Sequence, residues 1–168
     1  GNDDLGAMSA WYVWSALGMF PETPGTADLA LGSPLFTQAV VTLPSDHEIC
    51  ITRVFDAPAE LVFRAWTTPE LVRQWWGWDS AALIVCDIDL RVGGDWRYVT
   101  READGRVLGW RGTYLEIDAP RRLVSTEVFE DHPDAATRNT LTLTEREDGT
   151  TLLTVLVVHT STEHRDGQ

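Results

Sequence analysis

ITRVFDAPAELVFRAWTTPELVRQWWGW, residues Ile51 to Trp78, is the stretch on which the fold turns. Its start continues an apolar pattern begun at Ile49, with Ile51 and then Val54 and Phe55, which predicts a strand. Pro58 and Pro69 each stand where a helix begins, a position that tolerates the missing N–H and favours the fixed φ of proline. They lead two short helices, Ala59 to Trp66 and Glu70 to Trp76, with almost no spacer after the strand. The strand and the helix pair ending in Trp75, Trp76 and Trp78 follow one another with almost no connecting residues, which makes this the most informative stretch of the chain.

Working towards the C-terminus, six further strands are expected: Ala82 to Asp89, Asp95 to Arg101, Val107 to Ile117, Leu123 to Glu130, Arg138 to Glu145 and Thr151 to His159. Gly93 with Gly94, Asp104 with Gly105, Pro133 with Asp134, and Asp148 with Gly149 supply the turn chemistry between them. A strand, two helices and six strands joined by short turns describe an α+β domain built on a strongly bent antiparallel sheet. Period-two patterning shows in Leu141 and Leu143, and again in Leu152, Thr154, Leu156 and Val158.

Working towards the N-terminus, the pattern changes. A helix is expected over Met8 to Phe20, opened by Asp3 or Asp4 as cap, with large apolar side chains on nearly every face. Pro21 to Pro34 then reads as irregular, and Thr37 to Leu43 as a short strand.

Composition excludes several classes of function. The 168 residues carry 13 basic residues, all of them Arg, against 26 acidic ones, a net charge of −13 that repels nucleic acid and anionic membrane. The absence of lysine removes side-chain Schiff-base chemistry and the P-loop. Cys50 and Cys86 lie in expected strands with apolar neighbours and read as buried free thiols. The histidines are too scattered to suggest a metal, and no cofactor motif is present. The apolar run from Met8 to Phe20 is shorter than the roughly 20 residues that span a bilayer.

Four segments carry a family resemblance in order: Ile51 to Trp78, CDIDLRVGGDWRYV from Cys86, GWRGTYLEIDAPRRLVSTEVFED from Gly109, and DGTTLLTVLVVHTSTEHRDG from Asp148. Together they resemble the START-like (SRPBCC) helix-grip superfamily, in the branch named after the activator of the heat-shock-protein ATPase. The resemblance implies a cytoplasmic domain over residues 46–168 and a groove on the concave face of the sheet. It also implies a long C-terminal helix closing that groove, for which Ser161 to His164 leaves about one turn, so most of that helix is expected to be missing. A second resemblance lies in GNDDLGAMSAWYVWSALGMFPETPG, Gly1 to Gly25, and LGSPLF, Leu31 to Phe36. These are similar to the late catalytic segment of the α-mannosidases of glycoside hydrolase family ninety-two. Residues 1–44 are accordingly read as a fragment and not an independent domain. Asp4 matches the base position of that family. Mannosidase activity is nevertheless not expected, because inverting hydrolysis needs a second, positioned carboxylate.

The candidate site is aromatic. Trp75, Trp76, Trp96, Tyr98 and Trp110 are the expected ligand-binding residues, with period two placing Trp96 and Tyr98 on one face and Arg97, Val99 and Arg101 on the other. Glu127 and His159 are polar residues that interrupt apolar strands, which makes them the natural acid/base candidates, although a solvent-facing role is the commoner one for such residues. No acid/base pair can be read, so a cyclase-type enzyme is only a third reading. Binding of a small apolar or lipid-like ligand is the leading one. Its alternative is a co-chaperone-type interaction module, with a chaperone partner or self-association.

Overall fold

The computed structural model describes residues 19–21, 29–31, 39–42, 45, 47–76 and 82–159. In chain order the elements are β1 (Met19–Pro21), β2 (Leu29–Leu31), β3 (Ala39–Thr42), β4 (Glu48–Phe55), α1 (Ala59–Thr67), α2 (Pro69–Val72), β5 (Ala82–Ile88), β6 (Asp95–Arg101), β7 (Val107–Asp118), β8 (Arg122–Phe129), β9 (Thr137–Glu145) and β10 (Thr151–His159). Strands β1 and β2 pair with each other, and the other eight form one sheet in the order β3-β4-β10-β9-β8-β7-β6-β5. Every pairing in it is antiparallel. The helices α1 and α2 cross one face of this curved sheet, and the core lies between them and it.

Helix α1 buries Ala59, Val62, Phe63 and Thr67, the i, i+3, i+4, i+8 spacing of one helical face. Pro58 at its N-cap has no capping side chain. Instead the Glu145 carboxylate of β9 accepts a hydrogen bond from the Ala59 N–H at 3.1 Å. Beside it, the Thr151 hydroxyl of β10 donates to the Ala57 carbonyl at 2.6 Å. The helix start is thus tied to the sheet by two side chains from distant parts of the chain. Val72, fully buried, fixes α2 in the same way through packing.

The register sets which face of each strand is core. Leu141 stands opposite Val155, and Leu143 opposite Leu153, and all of them are buried. The alternate series Leu152, Thr154, Leu156 and Val158 is half-buried on the other face. At the β9–β10 hairpin, Gly149 adopts φ +83°, a conformation that other residues rarely hold, and the Asp148 carboxylate accepts from the Thr150 N–H at 3.1 Å.

Three expectations need correction. Met19, Phe20 and Pro21 form strand β1, paired with Leu31, Ala30 and Leu29 of β2, where the end of a helix and an irregular segment were expected. Pro21 explains this, since a residue before proline is pushed out of the helical region. The remainder of that expected helix, with Asp3 and Asp4, lies outside the described residues, as do Ser161 to His164 and Trp78. The second helix ends at Val72 instead of running to Trp76. There the chain tightens into i→i−3 bonds, from the Gln74 N–H to the Leu71 carbonyl and from the Trp75 N–H to the Val72 carbonyl, as the tryptophans pack inward. Cys50 is half-buried where a buried thiol was expected; Cys86 is buried, and both are free.

Leu153 is 2% exposed, with Arg53 and Leu143 as its strand partners. Leu153→Ala is expected to cost about 2–5 kcal/mol of folding stability, read as a lower urea midpoint with an unchanged slope.

Candidate functional site

Between the helices and the sheet lies a cavity of about 80 Å³. Trp66, Trp75 and Trp76 cover it from the helical side, Trp96, Tyr98 and Tyr114 wall one flank, and Leu123, Leu141, Val155 and Val157 form its apolar floor. Ser125, Glu127 and Asn139 complete the lining. Trp66, Trp75, Trp76, Ser125, Glu127, Asn139 and Val157 are only half-buried, so the cavity continues into an open groove.

Aromatic contacts hold the cover in place. The Trp75 indole N–H donates to the Ala65 carbonyl at 2.8 Å, and its ring lies 4.7 Å from that of Trp66. Trp76 meets Tyr98 edge-on at 5.1 Å and Trp110 at 4.8 Å, while Trp96 stacks beside Tyr98 at 4.9 Å. Edge-to-face and offset geometries of this kind contribute about 0.5–1.5 kcal/mol each beyond simple burial. Trp110 does not line the cavity. It is 3% exposed and stands behind Trp76, where it acts as a buttress.

The polar side of the cavity is an ordered row. Trp96 pairs with Gly112 across β6 and β7, and Glu127 pairs with Thr137, which pairs with His159, across β8, β9 and β10. Register between Arg111–Val128 and Tyr114–Ser125 sets Gly112 opposite Glu127. Thr137 donates to the Asn139 side-chain oxygen at 3.2 Å, and the Asn139 amide donates to a Glu127 oxygen at 3.0 Å. Glu127 keeps some surface at the groove, but its carboxyl is carried inward among the tryptophans. Loss of hydration there pushes its pKa up to about 7, with the Asn139 hydrogen bond pulling the other way. Burial also raises Tyr114 and Cys86.

Of the residues expected from sequence, Trp75, Trp76, Trp96 and Tyr98 come together at the cavity. Glu127 joins them, and His159 is buried in the same row further along. Trp66, Tyr114, Ser125 and Asn139 were not singled out. Trp66 and Tyr114 sit at positions a periodicity argument assigns to core, and Ser125 and Asn139 are small polar residues without a motif. Among the described residues no cluster of His, Cys, Asp and Glu is arranged to hold a metal, and no helix is long and apolar enough to cross a membrane.

A bent antiparallel sheet gripped by two helices over an aromatic cavity is the helix-grip architecture. The chain belongs to the Activator of Hsp90 ATPase homolog 1-like protein family, whose model matches residues 56–168. The model of the glycosyl hydrolase family 92 catalytic domain matches residues 1–78, so the two matches share residues 56–78. Among solved structures, a protein of Rhodobacter sphaeroides is 27% identical, with a TM-score of 0.72, 77% of this chain covered and 83% of that one. Protein Ms6760 of Mycobacterium smegmatis is 26% identical, with a TM-score of 0.65 and coverage of 76% and 83%. An HSP90 activator from Plasmodium falciparum shares the fold at 21% identity, with a TM-score of 0.50 and coverage of 67% and 72%. No curated protein matches the chain.

A carboxyl whose pKa is raised on folding destabilises the folded state as it ionises. Below its unfolded value, near 4.5, the native and unfolded chains are equally protonated; between there and about 7 the native state holds the extra proton, so stability falls as pH rises. Glu127→Gln removes this loss. Its stability relative to the natural chain is expected to improve by about 2 kcal/mol between pH 5 and pH 8, as followed by urea denaturation at each pH.

Proposed function

We propose that this domain binds a small apolar or lipid-like ligand in the concave face of its sheet. The observation that carries the reading is the cavity itself, with aromatic rings around an aliphatic floor and a few polar groups gathered on one side. Such a lining removes apolar surface from water and uses its polar groups for orientation. Trp75, Trp76, Trp96 and Tyr98 make the ligand contacts in this reading, and Trp110 supports them from behind. At about 80 Å³ the enclosed space is roughly half that of an apolar cavity known to admit benzene, near 150 Å³. One ring therefore occupies the cavity by using its open side, and the rest of a larger ligand lies along the groove.

The domain proper runs over residues 46–168 in this proposal, with residues 1–44 a mannosidase-like fragment to which no hydrolysis is assigned. A co-chaperone role is the second reading. The family description favours it, since it names an activator of a chaperone ATPase. Acidic net charge sets the terms of either role: a neutral ligand enters without repulsion, and a protein partner would present a basic face.

Toluene separates the two readings. If the cavity takes apolar ligands, saturating toluene raises the melting temperature by a few degrees, and Val157→Phe, which fills the cavity, abolishes the rise while remaining folded by circular dichroism. A melting temperature unchanged both at saturating toluene and at saturating phenol would remove the ligand reading.

A further inference from the structure

Trp96 is 6% exposed, and its indole nitrogen has no hydrogen-bond partner among the described residues. A buried donor left without an acceptor is costly, and in native proteins it calls for a specific reason. Its location supplies one. The ring lies across Gly112, where a Cβ would come within 2.6 Å of the Trp96 Nε1 and would collide with the Thr126 carbonyl oxygen. Only glycine leaves room for the indole nitrogen at this point of β7, and the register sets that point opposite Glu127 on β8.

We infer that the ligand is a neutral aromatic molecule carrying a hydroxyl group, whose oxygen accepts from the Trp96 indole N–H and whose hydrogen is donated to the Glu127 carboxylate. This rests on the ligand-binding reading above and names the chemistry of its occupant. Six aromatic side chains, Trp66, Trp75, Trp76, Trp96, Tyr98 and Tyr114, favour a flat ring. Among the described residues that line the cavity there is no Arg and Glu127 is the one carboxylate, so an anionic ligand would meet repulsion without a counter-charge from them. A hydrocarbon would leave the Trp96 N–H unsatisfied. A hydroxyl matches both groups at once, because it accepts and donates through a single atom.

Asn139 does not compete for this role, since its amide already donates to one Glu127 oxygen, Oε2. Among the described residues no side chain donates to the other oxygen, Oε1, which is free to accept from the ligand. The other ionisable groups around Glu127 are Tyr98 on β6, Tyr114 on β7 and, beyond Thr137 in the same row, His159 on β10. With Glu127 titrating at about 7, hydroxyl donation to its carboxylate is strongest above that pH. Binding of such a ligand therefore weakens as the pH falls from 8 to 6, by up to about tenfold, because a proton must first leave Glu127.

Phenol and toluene, nearly equal in size, test this by calorimetric titration of the full chain. The natural protein is expected to bind phenol at least about tenfold more tightly than toluene at pH 8, and to lose most of that preference at pH 6. Trp96→Phe should abolish the preference for phenol over toluene at pH 8. Glu127→Gln should remove the pH dependence. Equal affinity for the two probes in the natural protein overturns the hydroxyl assignment and leaves the ligand reading standing. Phenol binding that tightens towards pH 6 overturns it too, since the hydroxyl would then be accepting from a protonated Glu127. Failure of both probes to bind overturns the ligand reading itself.

Discussion

Two hydrogen bonds at the start of α1 hold the arrangement on which everything else depends. The Ala59 N–H would be one of the unsatisfied donors of a helix that begins with proline, and the Ala57 carbonyl would face the core with nothing to accept. Glu145 and Thr151, at the β9 and β10 ends of a single hairpin, satisfy them both. Each bond is modest by itself, about 0.5–1.5 kcal/mol net, yet leaving the groups buried and unmade would cost more. Their geometrical effect is the larger one. They fix where α1 leaves the sheet, and hence where Trp66, Trp75 and Trp76 come down over the concave face.

The cover and the sheet are then matched through shape. Trp76 reaches both Tyr98 and Trp110, on two adjacent strands, while Trp75 is held by the Ala65 carbonyl within the helix pair. This division explains why α2 stops after Val72. A regular helix through Trp76 would send its side chains out at helical spacing, whereas the tightened turn sets Trp76 on the sheet and leaves Trp75 against Trp66. The local preference for helix yields to aromatic packing, as propensity commonly does where burial is large.

Most of the fold was legible because its signals were local. Strand Asp95–Arg101 lies between its turn residues, strand Thr151–His159 begins just after Asp148 and Gly149, and Pro58 and Pro69 mark the helix starts. What could not be read is what depends on partners far away in the chain. In β10 both faces are apolar, so period two does not say which series is core; only the register with Leu141 and Leu143 decides for Leu153, Val155 and Val157. Strand β1 escaped notice because three residues carry too little periodicity, and the pre-proline effect on Phe20 was outweighed by a long apolar run. At the site, the four cavity aromatics named from sequence were conspicuous as bulky residues at strand and helix ends. Ser125 and Asn139 became visible only once pairing had placed them side by side, in register across β8 and β9.

Gly112 shows how far such dependence goes. In sequence it is one glycine in a strand, a residue that would ordinarily weaken the sheet. In the fold it is the space that the Trp96 indole occupies and the point where β7 runs close against Thr126 of β8. Any side chain there would displace the indole nitrogen or the Thr126 carbonyl. The raised pKa of Glu127 follows from the same packing, since the rings that exclude water from the cavity also withhold hydration from its carboxyl. An unpartnered donor and a carboxyl reluctant to ionise are both costs to the empty domain, and an occupant that satisfies the first and hydrates the second recovers them together.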